Sequence, residues 1–228
     1  MHWALKMFKE MRDGETLVGF ALQRDDRFYF FGSGMLKRED LHRLFPRFEF
    51  CFLKQIHGRE VVEADPENSA EADGHFTSVP YRALVSQSAD CVPILLSTPT
   101  HVCAIHAGWK GMSLNILGVA KDKLPDFNFA AIGPHIMKQS FEVGLDVAEQ
   151  LRQASPKADG SLISPSANSE KVFFDLKRLS ELQLSQPGLT FEDCCFDTKT
   201  DTRFHSYRRG RATPERQYSF VVIADNLR

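Results

Sequence analysis

Short apolar runs broken by turn formers dominate the chain, and the helical i, i+3, i+4 period shows in only a few windows. "RFYFFGSG" (27–34) reads as a strand closed by a glycine turn, and "FEFCFLKQIHG" (48–58) as a strand ending at Gly58 with "EVVEA" just beyond. "YRALVSQSADCVPILLST" (81–98) and "HVCAIHAG" (101–108) read as two strands joined by the turn "TPT", which predicts a hairpin or close pair. "FNFAAIG" (127–133) and the terminal "QYSFVVIAD" (217–225) add two more strands.

Helical periodicity appears in "LKREDLHRLFP" (36–46), which Pro46 stops, and in "SLNILGVAKDKL" (113–124), with Ser113 as N-cap. It returns in "LDVAEQLRQA" (145–154) and in "FFDLKRLSELQLSQ" (173–186), where Asp175 caps a repeat of Leu176, Leu179 and Leu182. "KADGSLISPSANSE" (157–170) is rich in turn formers and reads as a loop. Strands and helices mix without strict alternation, which favours an α/β or α+β sandwich over a doubly wound sheet.

Composition narrows this picture. At 228 residues, 43% of them hydrophobic, the chain can bury a full core as one domain spanning 1–228. The 28 Lys plus Arg against 30 Asp plus Glu argue against nucleic-acid or membrane-surface binding driven by overall charge. No apolar run approaches the ~18 residues of a membrane span or shapes the first residues into a signal peptide. Five cysteines, an odd number without a repeating frame, fit a reduced, cytoplasmic setting.

Three segments place a metal-binding side chain at or near a turn after an apolar run: "FLKQIHG" with His57, "SQSADCVP" with Cys91 and "CAIHAGWKG" with His106. Two imidazoles and a thiolate are zinc ligands, and a set of three leaves a fourth position open for water or substrate. The spacings of 34 and 15 residues are unlike zinc-finger pairs, and each histidine taken alone also fits a satisfied strand-end residue. Alternation along "HVCAIHAG" puts Val102, Ala104 and His106 on one side and Cys103 and Ile105 on the other. That separates Cys103 from His106 and leaves Cys91 as the better thiolate, with Asp90 facing away from it if the segment stays extended. A Cys91–His106 nucleophile pair for acyl transfer is the metal-free alternative.

"QIHG", "EADG", "SADCVPILL", "AIHAGWKG", "AIGPHI" with "SFEVG", and "FHSYRRGRATPERQYSFVVI" resemble, in order, the motifs of the bacterial laccase-domain family, over roughly residues 50–224. That family, formerly labelled polyphenol oxidase, is assigned as zinc-dependent purine nucleoside phosphorylases with adenosine deaminase activity. The resemblance implies a single domain of α/β/β/α layers, the YfiH-like fold, with zinc held by His57, Cys91 and His106. It implies phosphorolysis of adenosine, inosine, guanosine and methylthioadenosine, together with deamination of adenosine, so the partners are nucleoside and phosphate. Peptidoglycan precursor editing and copper-dependent polyphenol oxidation are the alternatives. Copper suits the same donors, but a multicopper oxidase needs many histidines in His-x-His pairs, and the eight here form none.

For substrate, the resemblance points to Lys110, where the family carries arginine, and to Arg208 and Arg209 in the basic stretch that continues through Arg211 and Arg216. Arg24 in "ALQRDDRFYFFGSG" takes the place of the arginine in the family's "TRxGGVS"-like segment, whose paired glycines are missing. The free N–H groups of a helix starting near Ser113 would favour an anion. Asp73 and Glu142 are acid/base candidates or supports for the histidines. Gln55 reads as an orienting group, Trp109 as an anchor or a purine-stacking ring, and His135 as an added polar contact or a third histidine near the metal.

Overall fold

The computed structural model describes residues 8–210 and 214–225, and Arg211 lies outside the described residues. The chain opens with the antiparallel strands β1 (Lys9–Asp13), β2 (Thr16–Arg24) and β3 (Arg27–Gly32). α1 (Arg38–Leu44), β4 (Glu49–Cys51), β5 (Val61–Glu63), β6 (Gly74–Thr77) and β7 (Arg82–Ser88) follow. β8 (Val92–Ser97) and β9 (Val102–Ala107) form the expected hairpin, leading into α2 (Trp109–Ser113), α3 (Ile116–Lys123) and β10 (Phe129–Ile132). The remainder is β11 (Glu142–Gly144), α4 (Leu145–Gln153), β12 (Ile163–Pro165), β13 (Lys171–Phe174), α5 (Leu176–Leu184), β14 (Thr190–Asp193), α6 (Tyr207–Gly210) and β15 (Gln217–Ile223).

Two six-stranded sheets, in the orders β1-β2-β3-β15-β7-β4 and β14-β10-β8-β9-β6-β5, stack face to face, and β11-β13-β12 makes a small third sheet. Tyr29, Phe31, Leu84 and Val221 of the first sheet meet Leu95, Ala104, Phe129 and Ala131 of the second. Leu41 and Phe45, from α1 and its C-cap, cover the outer face of the first sheet against Phe28, Phe30, Phe50 and Phe220. The other helices cover the second sheet, with Met112, Leu117, Leu151 and Leu179 against Ile94, Cys103, Ile105 and Ile132. The layers are therefore α/β/β/α. Covering on both faces is why β3, β8 and β9 are buried at every position. The alternation expected along β9 holds, with Ala104 in the inter-sheet core and Cys103 and Ile105 in the helix-side core.

Four expectations need correction. The run 81–98 is two strands in different sheets: β7 ends at Ser88, and the chain crosses at residues 89–91, with Asp90 in a left-handed conformation (φ 90°). Among residues 48–58 only Glu49–Cys51 is strand. The amides of residues 56–58 are captured instead by the Asp73 carboxylate, and His57 turns the chain with φ 59°. Ser113 is no N-cap, because a helix already begins at Trp109 and Asn115 caps the next, its Oδ1 accepting from Gly118 N–H at 3.2 Å. The stretch 157–170 contains β12 and a short 3-10 turn at Gly160–Leu162, which the turn formers concealed.

Candidate metal centre and its cavity

β7, β8 and β9 bring their chemistry to one end of the sandwich. β7 ends there at Ser88, β8 begins there at Val92, and β9 arrives with His106 paired to Pro93. The left-handed turn at Asp90 puts the Cys91 thiol beside His106, and the 56–58 loop carries His57 over both. One ligand atom from each of His57, Cys91 and His106 lies within 4.8 Å of the others. The imidazole rings of His57 and His106 stand edge to face, 4.9 Å between centroids.

Asp73, fully buried, organises this cluster. Its carboxylate accepts the N–H groups of Ile56 (3.2 Å), His57 (3.0 Å) and Gly58 (2.6 Å), fixing the His57 loop. The same carboxylate lies 2.8 Å from His106 Nδ1. Burial opposes the carboxylate charge, but the bonds from His106 and the loop amides outweigh it and hold Asp73 below the usual carboxylate range. An ionised Asp73 takes the Nδ1–H as donor and so leaves Nε2 as the nitrogen that would face a metal, giving up its proton when one binds, the carboxylate–histidine–metal arrangement. Asp73 is a support rather than a reacting acid.

Burial alone would raise the Cys91 thiol, yet the positive charge and hydrogen bonds of His106, with help from His57, pull it well below an ordinary thiol. His106 moves the opposite way: burial disfavours its cation, and the Cys91 thiolate and Asp73 together overcome that and raise it. A thiolate held at neutral pH between two imidazoles, one braced by a carboxylate, is a donor set that fits a divalent ion such as zinc. Gly108 has ordinary backbone angles, and its role is steric: a Cβ there would stand 3.0 Å from Cys91 Sγ and 3.1 Å from His57 Cδ2. A Cβ on Gly111 would meet the Gly58 carbonyl oxygen at 2.6 Å, so both glycines of "GWKG" let α2 close on the His57 loop.

The three donors open into a cavity of about 560 Å³ walled by Trp109, Phe141 and Tyr207, with Arg208 and Arg216 at its edge. Arg208 lies 5.1 Å over the Phe141 ring and donates to the Glu142 carbonyl at 2.8 Å. Gln55 also lines the cavity, but its carboxamide is closed on the Gln87 main chain, donating to the carbonyl at 2.7 Å and accepting the N–H at 2.8 Å. It orients the wall.

Other sequence candidates lie elsewhere. Arg24 is a correction: it sits at the β2–β3 turn beside Arg27, whose partner Ile223 ends β15, whereas Gln217 at the other end of β15 pairs with Ser88 near the cluster. Seven strand residues put these ends ~20 Å apart. Arg24 there covers Phe129 at 4.5 Å, and the site end of β3 is Gly32. Lys110 is exposed, outside the cavity lining, with its Nζ 5.8 Å over the Trp109 ring. Arg209 turns away, donating to the carbonyls of Thr198 (2.8 Å), Lys199, Asp201 and Phe204. Glu142 binds Ser166 and Lys171 through its carboxylate and lines no part of the cavity. His135 is buried with its Nδ1 2.8 Å from the Gly133 carbonyl, apart from the three-donor group. Among the described residues no helix is long and apolar enough to cross a membrane.

A His–Cys–His group at the end of a two-sheet sandwich defines a class of candidate metal proteins. The family model described as multi-copper polyphenol oxidoreductase laccase matches residues 37–224, and the chain belongs to that family. A Pseudomonas aeruginosa protein named purine nucleoside phosphorylase is 36% identical over 184 residues, 77% of this chain and 76% of its own. Escherichia coli (strain K12) purine nucleoside phosphorylase YfiH is 31% identical over 182 residues, 75% of this chain and 73% of its own. The crystal structure of YfiH from Bacillus licheniformis superposes with a TM-score of 0.82 at 18% identity, covering 95% of this chain and 98% of that one, which shows the fold to be YfiH-like.

Proposed function

We propose that this chain is a zinc-dependent purine nucleoside phosphorylase that also deaminates adenosine, acting on adenosine, inosine, guanosine and methylthioadenosine in the cytoplasm. The observation that carries this reading is the convergence of His57, Cys91 and His106 on a cavity that also presents arginine and aromatic walls. The names of the Pseudomonas and Escherichia relatives support the reaction type. A cavity of about 560 Å³ falls in the range of small-molecule sites.

His57, Cys91 and His106 would hold the metal, which supplies Lewis acidity at the head of the cavity. In phosphorolysis an oxygen of orthophosphate bonds to the anomeric carbon, the carbon–nitrogen bond breaks, and its electron pair leaves with the purine, which takes up a proton. Arg208 and Arg216 would attract and neutralise the phosphate. Arg208, held at the Glu142 carbonyl and over Phe141, presents a charge of restricted position. Trp109, Phe141 and Tyr207 give the purine apolar surface. The copper oxidase reading is weaker: the described residues contain one three-donor group, and several coppers need more.

The test is adenosine incubated with metal-analysed protein, with and without phosphate, and separation of the products. Adenine formed only with phosphate and inosine formed without it are the expected results. Failure of the zinc-loaded protein to turn over adenosine, inosine, guanosine or methylthioadenosine contradicts the proposal.

A further inference from the structure

Asp90 has φ 90°, an uncommon conformation for a non-glycine residue, at the point where the chain leaves one sheet for the other. Its side chain is buried, and both carboxylate oxygens are engaged. Oδ1 accepts from the Thr198 hydroxyl at 2.6 Å, and Oδ2 accepts from the Arg208 main-chain N–H at 2.7 Å. Its own carbonyl accepts the Ile136 N–H at 2.9 Å. Segments remote in sequence are thus tied to the residue that precedes Cys91. Two of its partners, Ile136 and Arg208, wall the cavity, as does Asp90 itself.

We infer that Asp90 is a positioning residue that sets the Cys91 thiol and Arg208 in fixed relation across the cavity. The left-handed turn aims Cys91 toward His57 and His106, and the carboxylate that stabilises this turn also anchors the main chain of Arg208. Hydrogen bonds to an ionised carboxylate are about twice as strong as neutral ones, so this link is stiff. The guanidinium of Arg208 is fixed separately at Glu142, while the Asp90 bond ties the main chain of that arginine to the residue preceding the thiol. A residue serving merely as a left-handed turn would need no carboxylate, because glycine adopts that φ without cost.

This inference rests on the proposed zinc and phosphate site, and substitution at Asp90 separates the two. Asp90→Gly keeps the backbone and removes the carboxylate. Asp90→Asn keeps an acceptor for the Arg208 N–H. Two quantities are read on zinc-loaded protein: the rate of zinc release to a chelator, and the affinity for inorganic phosphate by calorimetry. Asp90→Gly is expected to speed zinc release about tenfold and weaken phosphate about tenfold, with Asp90→Asn restoring both to within about threefold of wild type. Thr198→Val, which removes one of the two carboxylate bonds, is expected to shift both about threefold. Folded Asp90→Gly protein with either quantity within about twofold of wild type overturns the inference, as does failure of the asparagine to restore them. Where the glycine variant does not fold, an unchanged Thr198→Val protein overturns it. Wild-type protein that binds no phosphate defeats the functional reading instead, and zinc release from Asp90→Gly then decides the positioning role alone.

Discussion

The two ends of the sandwich both carry arginines and a cleft, yet only one assembles reactive chemistry. At the far end Arg24 lies over Phe129, while Arg27 donates to the carbonyls of Thr98 and Pro99 and pairs with Asp26, around a cleft of about 150 Å³. The turn between β2 and β3 there joins neighbours in one sheet. At the other end the chain changes sheets at residues 89–91, a loop without ladder bonds holds His57, and the cavity is about 560 Å³. Left-handed non-glycine residues stand at both ends, His57 and Asp90 here and Asp25 and Tyr81 at the far one, so backbone strain does not distinguish them. Chemistry collects where the chain crosses between the sheets and brings His57, Cys91 and His106 together, and an arginine in a suggestive sequence context is no guide without that topology.

The largest contrast is between Cys91→Ala and Arg24→Ala. Losing the thiolate is expected to lower kcat/KM for adenosine phosphorolysis by more than about 100-fold, above the usual loss from an outer support of a metal. Arg24→Ala is expected to leave kcat/KM within about twofold, with thermal unfolding confirming that both variants are folded. Equal losses would erase the distinction between the two ends.

Asp73→Asn sharpens the comparison within the active end. It keeps the size of the side chain but removes the charge that four donors address, and metal affinity is expected to fall about 10- to 100-fold. Titration against a competing chelator measures it, and unchanged affinity would deny Asp73 its supporting role.

A third, smaller effect is a pH dependence of chelator-treated protein. Cys91 is lowered to about 6 and His106 raised to about 9 by their mutual charge, against burial. The depressed thiol contributes stability that is lost as pH falls through about 6, and the raised imidazole contributes stability that is lost as pH rises through about 9. Between about 6.5 and 9 the two contributions change in opposite directions and offset each other, so the metal-free protein is expected to hold a nearly level stability there and to lose some of it as pH falls through about 6, as thermal unfolding across pH would show. Alkylation should reach Cys91 at pH 7 before Cys195, which is exposed but raised to about 11 by burial of its thiol and by Asp193. Peptide mapping after brief iodoacetamide treatment reads the order of modification.

Much of this was legible in the sequence, and the gaps have physical causes. Apolar runs located β3, β9, β10 and β15, while Asp175 as N-cap and Pro46 as a stop just past the C-cap Phe45 marked helix ends. The sheet switch inside 81–98 was hard to place because the polar run "SQSAD" (86–90) begins before β7 ends: Ser86 and Ser88 still pair with β15, so the break in hydrophobicity does not coincide with the crossing. The charged Asp90 marks the crossing itself. The tight amides around His57 were likewise invisible, since the carboxylate that holds them comes from Asp73, far along the chain. "EADG" raised Asp73 as a candidate, but only its four donors distinguish a support from an acid. Arg24 was misplaced because local order places it before β3, whereas the site lies at that strand's other end. Arg208 and Arg209 are adjacent and alike in type, and their separation into a cavity wall and a clamp on carbonyl oxygens depends on contacts distant in sequence.

The most direct test is metal analysis of zinc-exposed, dialysed protein. The expected result is one zinc per chain in the wild type and in Arg24→Ala, and loss of that zinc in folded Cys91→Ala. Full zinc occupancy in Cys91→Ala would contradict the central claim that His57, Cys91 and His106 form the metal site.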